Sequence, residues 1–323
     1  MSINNDLLLP TWLTPELRAI RSGVAAGLES IAEDERVVVL SADLAESVKI
    51  QEFAEQHPDR FVEVGVAEQN MAGVAAGLSF VGKVPFMASY ATFSPGRNWE
   101  QIRVSIALSK ANVKIIGSHA GVSVGVNGPS HMGTEDIALM RVLPNMVVLA
   151  PADAQECESA IVAAYQHSGP VYIRTCRPDT PLFLKKHEFE IGKAHILREG
   201  RDVTIVACGI QVHQSLLIAN ELATLGIECE VINASSIKPL DSVTIIYSAQ
   251  RTGRVVTIED HQISGGLGGA VAEALGQVGI KHLRLGINDR FGVSGNWEEV
   301  YKTMGMDTPS LKKAVIDYTY DKL

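Results

Sequence analysis

Apolar residues in this chain gather in short β-branched runs, and the segments between them carry apolar positions at helical spacing. Val37-Val-Val-Leu40 is one such run, and it ends in Ser41-Ala-Asp-Leu44, which predicts a strand followed by a polar loop. Ahead of it, residues 14–33 alternate at helical spacing and predict a helix capped by Thr14, with Pro15 at its first position. Residues 61–64 predict a strand that turns through Gly65 into a helix beginning near Ala67. Val84-Pro-Phe-Met-Ala88 follows as a strand, then a loop over residues 89–97 and a helix through Trp99, Ile102 and Ile106. Val113-Lys-Ile-Ile116 is a strand that leads into a glycine-rich loop, residues 117–133. A helix over 135–143, a strand over 146–149, a helix over 153–165 and a strand over 171–174 complete the series. Short strands alternating with helices imply an α/β fold with a mostly parallel, doubly wound sheet.

Residues 178–201 break this rhythm with two prolines and clustered charges, and read as a linker. A second α/β unit begins at Val203-Thr-Ile-Val-Ala-Cys208, with a helix from Gly209 to Leu225 and a strand over 228–232. A strand over 254–261 follows, and Gly265-Gly-Leu-Gly-Gly269 opens a helix to Gln277. The expectation is two doubly wound α/β/α domains, residues 1–190 and 196–323. The glycine run resembles an anion-binding loop but lacks a Walker lysine and the dinucleotide spacing, so close helix–strand packing is its preferred reading.

Composition narrows the class. The 323 residues suffice for two cores, and 46% hydrophobic with 20% charged residues marks a globular chain. A net charge of −9 argues against a broad nucleic-acid-binding face. Cys157, Cys176, Cys208 and Cys229 lie far apart, with no paired spacing for zinc or a disulfide framework. The first residues carry no basic segment with a long apolar run, and no stretch reaches the ~20 apolar residues of a membrane span. No membrane partner and a cytoplasmic location are therefore expected.

Two stretches carry candidate chemistry. Glu68 falls in the first turn of its helix, where the dipole favours a carboxylate, and just past a strand end, where open α/β sheets hold ligands. Ala72, Gly73, Ala75, Ala76 and Gly77 follow it. Glycine costs about 1 kcal/mol relative to alanine inside a helix, so two of them imply close approach of another backbone. A carboxyl group there would be poorly solvated, its acid form favoured. The same stretch also reads as a helix-start glutamate beside a tightly packed core helix. In the second stretch, His119 and His131 lie on the glycine-rich loop after a strand, placed to donate to a substrate oxygen or move a proton. Metal binding is the lesser reading, since no carboxylate or cysteine stands at a fitting spacing.

Several motifs together resemble the transketolase family. They are Ser41-Ala-Asp-Leu44, Gly65-Val-Ala-Glu-Gln-Asn-Met71, Ala91-Thr-Phe93, His119 with Gly125-Val-Asn-Gly-Pro-Ser-His131, and Pro151-Ala-Asp153. In that order they look like the family's pyrimidine-binding domain. Residues from about 196 onward, with Val255-Val-Thr-Ile-Glu-Asp-His261 and Gly265-Gly-Leu-Gly, resemble its C-terminal domain. The resemblance implies thiamine diphosphate as cofactor, with Glu68 hydrogen-bonded to N1′ of the aminopyrimidine and exchanging a proton there. It further implies that Phe93 stacks on that ring and that Asp43 and Leu44 line the cofactor pocket. By the same match His119 and His131 contact sugar hydroxyls and oxyanion, while Arg18, Ser47 and Arg177 grip the sugar phosphate. Asn127 stands where the family often has an aspartate that reads the C2 hydroxyl, which leaves the preferred sugar open.

No Gly-Asp-Gly segment for Mg²⁺ and diphosphate occurs in the chain. The resemblance is therefore to the C-terminal subunit of a split transketolase, with a separate N-terminal subunit holding Mg²⁺ and the diphosphate in an α2β2 heterotetramer. The implied reaction is transfer of a two-carbon ketol unit from a ketose phosphate to an aldose phosphate. A 1-deoxyxylulose-5-phosphate synthase-like or 2-oxo acid dehydrogenase β subunit, and a non-catalytic paralogue, are the alternatives.

Overall fold

The structure is a computed structural model that describes residues 2–276 and 278–321. The expected helix end at Gln277, and the outermost residues of the two expected domains, lie outside these. In chain order the first elements are β1 (Glu16–Ala19), α1 (Ser22–Glu29), β2 (Val37–Ser41), α2 (Gln51–Gln56), β3 (Phe61–Glu63) and α3 (Glu68–Phe80). Next come β4 (Val84–Tyr90), α4 (Trp99–Gln101) running into a π-helical stretch (Ile102–Leu108), β5 (Lys114–Ser118), α5 (Asp136–Arg141), β6 (Val147–Leu149), α6 (Ala154–Gln166), β7 (Val171–Arg174) and β8 (Asp179–Leu182). The rest are β9 (His195–Arg198), β10 (Val203–Ala207), α7 (Gln211–Ala223), β11 (Cys229–Asn233), β12 (Ser236–Lys238), α8 (Ser242–Thr252), β13 (Arg254–Gln262), α9 (Leu267–Leu275), β14 (Lys281–Ile287), α10 (Trp297–Met304) and α11 (Thr308–Thr319).

A seven-stranded sheet has the order β12-β6-β7-β5-β4-β2-β3, parallel throughout except for β12. A five-stranded sheet has the order β14-β13-β10-β11-β9, parallel except for β9. Strands β2, β4 and β5 are buried along their whole length. Helices on both faces explain why they read as unbroken apolar runs instead of alternating ones. Two apolar clusters fill the space on either side. Among the described residues no helix is long and apolar enough to cross a membrane.

Three expectations change. The helix expected over 14–33 is confined to α1. Residues 16–19 instead pair antiparallel with 179–182, a long-range contact that overrides the local helical spacing. The expected linker thus contains β8, and also β9, which joins the edge of the second sheet. In turn β12, from the C-terminal half of the chain, pairs with β6 and completes the first sheet.

The glycine run at 265–269 packs closely on β13 as expected, since a Cβ at Gly266 would lie 2.0 Å from Glu259 and one at Gly268 2.9 Å from Thr257, and it is also a helix start that binds an anion supplied by the chain. Buried Glu259 accepts from the Leu267 and Gly268 amides at 2.6 and 2.7 Å. A carboxylate at that end is favoured by the helix dipole.

Candidate active site

Apart from Arg18, the candidate residues follow the carboxyl ends of neighbouring strands β7, β5, β4, β2 and β3, the ligand-binding edge of an open parallel sheet. After β3 the chain turns at Gly65 (φ +69°) and enters α3 at Glu68. Ala67 in the capping position offers no side-chain acceptor, so the Glu68 carboxylate is the anionic group at that helix start. It is only 3% exposed, and Arg97 Nη1 donates to both its oxygens, at 3.0 and 3.2 Å. The sequence points to a poorly solvated carboxyl group there; in the structure it is buried, and a guanidinium 29 residues away in the chain pairs with it. Fully buried Asn98 donates to the Glu68 carbonyl and to Ser94 Oγ, both at 3.1 Å, and so fastens the loop after β4 to α3. Glu68, Arg97, Val66, Ala67, Gln69 and Asn70 line a cavity of about 520 Å³.

The expected tight packing along α3 holds on one face only. Ala72, Ala75 and Ala76 are buried, but Gly73 and Gly77 are exposed, and a Cβ added to either meets nothing within 4 Å. Among the described residues no backbone makes the close approach that the two glycines led us to expect.

At the end of β4, Tyr90 and Phe93 meet the histidine loop. The Tyr90 and His119 rings stack with centroids 3.9 Å apart, and His131 stands edge-on to Phe93 at 5.3 Å. Buried His119 is held at φ +55°, a left-handed conformation that is strained for a side chain with a Cβ and is found preferentially at functional positions. Its Nε2 lies 3.0 Å from Arg21 Nη1 and its Nδ1 3.0 Å from Ser118 Oγ. Because arginine can only donate, Nε2 must accept, which leaves the proton on Nδ1 facing the Ser118 hydroxyl. Burial, with Arg21, Arg177 and His131 adding like charge, pushes the imidazole down to about 3, so the ring is neutral near pH 7.

Arg21 also donates to the Ser47 carbonyl at 2.9 Å. Burial and the neighbouring charge of Arg177 lower its own pKa below the usual arginine value. Arg177, half-buried after β7, thus acts electrostatically on both Arg21 and His119. Arg18 does not join this group: its half-exposed side chain pairs with Glu16 at 3.2 Å on β1. The arginine that the fold brings to the histidine is Arg21, three residues on. Arg21 occupies the capping position of α1, where a cation is disfavoured by the helix dipole, but a helix read from Thr14 puts it in the interior, so the sequence carried no such signal. Tyr90 and Arg97 were missed as well; besides nearby Phe93, they meet His119 and Glu68, which lie on other elements.

Asp43, Leu44 and Ser47 line a separate cavity of about 340 Å³ at the end of β2, together with Glu63. Asp43 is held at φ +62°, and its amide donates to Glu63 at 2.8 Å. Asn127 is exposed at the loop tip, between Gly125 and Gly128, both at positive φ.

The C-terminal half of the chain braces the histidine loop. Buried Asp260, on β13, accepts from the Val122 amide at 3.0 Å and from Tyr301 Oη at 2.8 Å. Gly121 (φ +80°) passes so close that a Cβ there would lie 2.1 Å from the Asp260 carboxylate. Arg174, ion-paired with Asp136 at 2.9 Å, donates to the Asp260 carbonyl at 2.7 Å.

Comparison with known proteins bears on this arrangement. Residues 18–181 match the pyrimidine-binding domain of transketolase, and residues 192–311 match the transketolase C-terminal domain. The chain is 44% identical over 306 residues to a putative transketolase C-terminal section of Methanocaldococcus jannaschii, covering 93% of this chain and 96% of that protein. It is 41% identical to the 6-deoxy-6-sulfo-D-fructose transketolase subunit SqwH of Clostridium sp. (strain MSTE9), covering 91% and 92%. A solved structure described as a split gene transketolase, inactive beta4 tetramer, superimposes with a TM-score of 0.86 at 43% identity, covering 93% and 97%. The chain belongs to the transketolase family and corresponds to its C-terminal section.

Proposed function

We propose that this chain is the subunit of a split, thiamine diphosphate-dependent transketolase that receives the aminopyrimidine end of the cofactor. With a separate diphosphate-binding subunit, it transfers a two-carbon ketol unit from a ketose phosphate to an aldose phosphate. The observation that carries this reading is a run of contacts from buried Glu68 through Arg97 to Phe93, then His131, Tyr90, His119 and Arg21. The residues fit the heterocyclic end of the cofactor: a buried carboxylate to hold a ring nitrogen, an aromatic face beside it, and a cavity alongside. They do not fit Mg²⁺, since no group of three or more histidine, cysteine or acidic side chains gathers among the described residues. The metal and diphosphate therefore fall to the partner subunit.

When bound, the cofactor supplies the electron sink for breaking and making a carbon–carbon bond next to a carbonyl. Glu68 holds and returns a proton at the ring nitrogen, and its burial keeps water from competing. Phe93 sets the plane of the ring. Asp43 and Leu44 line the separate cavity at the end of β2 and contribute to the cofactor pocket from there. Neutral His119, fixed by Arg21 and Ser118, and half-buried His131 contact the sugar hydroxyls and carbonyl oxygen. Arg21 and Arg177, two neighbouring cations, grip the terminal anion with Ser47 beside them, a task suited to the guanidinium fork. This assignment puts Arg21 in place of Arg18. Asn127 on the loop tip tunes the choice of sugar.

The exposed glycines of α3 offer the partner subunit the close approach that none of the described residues makes. An α2β2 assembly follows from two such pairs. A sulfonated sugar is a second reading, because the SqwH relative is named for one and an arginine pair holds sulfonate as well as phosphate. Relative rates on the two donor types separate these readings.

The direct test is reconstitution with the partner subunit. Glu68→Gln should fold normally, yet cut two-carbon transfer by roughly 10²–10⁴-fold, the span of general acid–base catalysis. Full activity in this variant would remove the proton-holding role and, with it, the proposal.

A further inference from the structure

Arg97 makes the two contacts that the reading above assigns to the aminopyrimidine ring. Its Nη1 donates to both Glu68 oxygens, at 3.0 and 3.2 Å, and its Cζ lies 4.2 Å from the Phe93 ring centroid. A guanidinium is flat, with N–H donors along its edge, so it can meet a carboxylate edge-on and an aromatic ring face-on at once. An aminopyrimidine is also flat, and its ring nitrogen would present an N–H to Glu68 once it has taken the proton from that side chain.

Arg97 reaches inward from the rim, since its side chain is 50% exposed while that of Glu68 is 3% exposed. Both side chains line the same cavity of about 520 Å³. Among the described residues the Glu68 carboxylate has no other hydrogen-bond partner. A carboxylate this deep without a partner is strongly unfavourable, so the empty subunit needs a cation there.

We propose that Arg97 is a built-in placeholder for the cofactor's ring. It neutralises Glu68 and covers Phe93 while the site is empty, and it must swing out to solvent before the cofactor docks. This inference rests on the thiamine diphosphate reading. Its consequence is an affinity lowered by the fraction of subunits in which Arg97 still holds Glu68. In the loaded enzyme the freed guanidinium lies at the cavity rim, where its half-exposed stem already sits.

The test uses the reconstituted holoenzyme with Mg²⁺ and titrates thiamine diphosphate by calorimetry, together with thermal melting of the subunit alone. Arg97→Ala should bind the cofactor roughly three- to tenfold more tightly, because the competitor is gone. The same variant should melt at a lower temperature as an isolated subunit, because Glu68 has lost its counter-ion. Arg97→Lys, which keeps the charge without the flat fork, should bind with an affinity between wild type and Arg97→Ala, and it carries the comparison alone should the alanine variant fail to fold. Unchanged or weaker cofactor binding in these variants overturns the placeholder and leaves Arg97 a bystander or a cofactor ligand. Absence of thiamine diphosphate binding by the wild-type holoenzyme would instead sink the reading on which the placeholder rests.

Discussion

His119 is held on three sides, by Tyr90 against its face, Arg21 at Nε2 and Ser118 at Nδ1. A second proton has no place in this arrangement: Nε2 already accepts from a permanent cation, and Arg177 lies close by. The folded protein therefore resists protonation until about pH 3, whereas the unfolded chain binds the proton near 6.5. Between these values the unfolded state carries more protons, so stability rises with pH across the window and is lost as pH falls through it. Wild type should thus lose melting temperature on acidification from pH 6.5 more steeply than His119→Gln. Differencing the two curves cancels other groups, among them buried Glu156, whose pKa is raised from 4.5 to about 7 and whose contribution is lost as pH rises through that range. Parallel melting curves for the two proteins would mean that His119 is free to charge in the folded state.

At the scale of elements, α3 has alanines on its buried face and glycines on the other, with Phe80 and Val81 exposed at its end by 62% and 75%. An exposed glycine in a helix interior is destabilising by about 1 kcal/mol relative to alanine, and none of the described residues offers these two a compensating contact. Gly77→Leu should therefore stabilise the isolated subunit by about 0.5–1 kcal/mol in urea unfolding. The same change should weaken association with the partner subunit at least about tenfold, as overpacking of a close helix contact does. Normal assembly by this variant would place the partner elsewhere. Strands β2, β4 and β5 were legible in the sequence because burial on both faces writes an unbroken apolar run. Glu68, His119 and His131 were legible because each follows a strand end at a turn or a glycine-rich loop. What the sequence hid was pairing at a distance. Residues 16–19 carry helical spacing but meet 179–182, and Arg97 meets Glu68 only because the loop after β4 folds back on α3. Choosing between Arg18 and Arg21 needed the register of β1, which that same pairing sets.

Across the whole molecule, the two sheets are tied by more than the connecting chain. β12 leaves the C-terminal half to finish the first sheet, and Asp260 reaches from β13 to the histidine loop. The loop needs such a brace, because residues 121–128 include three glycines at positive φ that an isolated chain would not hold in place. Asp260 joins the Val122 amide and the Tyr301 hydroxyl on one carboxylate, and Trp297 of α10 packs edge-on against Tyr301 at 5.4 Å. Removing that carboxylate strands two buried donors, each costing about 1–3 kcal/mol when unsatisfied. Asp260→Ala should accordingly lose about 2–5 kcal/mol in urea unfolding, and Tyr301→Phe only about 1 kcal/mol, since the phenyl ring keeps the packing. Stability alone would not tell a brace from an ordinary core contact, but hydrogen exchange can. In Asp260→Ala the amides of residues 120–125 should lose more protection than those of β2 and β4, because the loop opens while the sheet stays closed. An even loss of protection over loop and sheet would mean that the carboxylate holds the fold as a whole. An uneven loss would show the Asp260 carboxylate holding the histidine loop in place from the C-terminal half, beside the Ser294 hydroxyl that donates to the Val126 carbonyl at 2.8 Å.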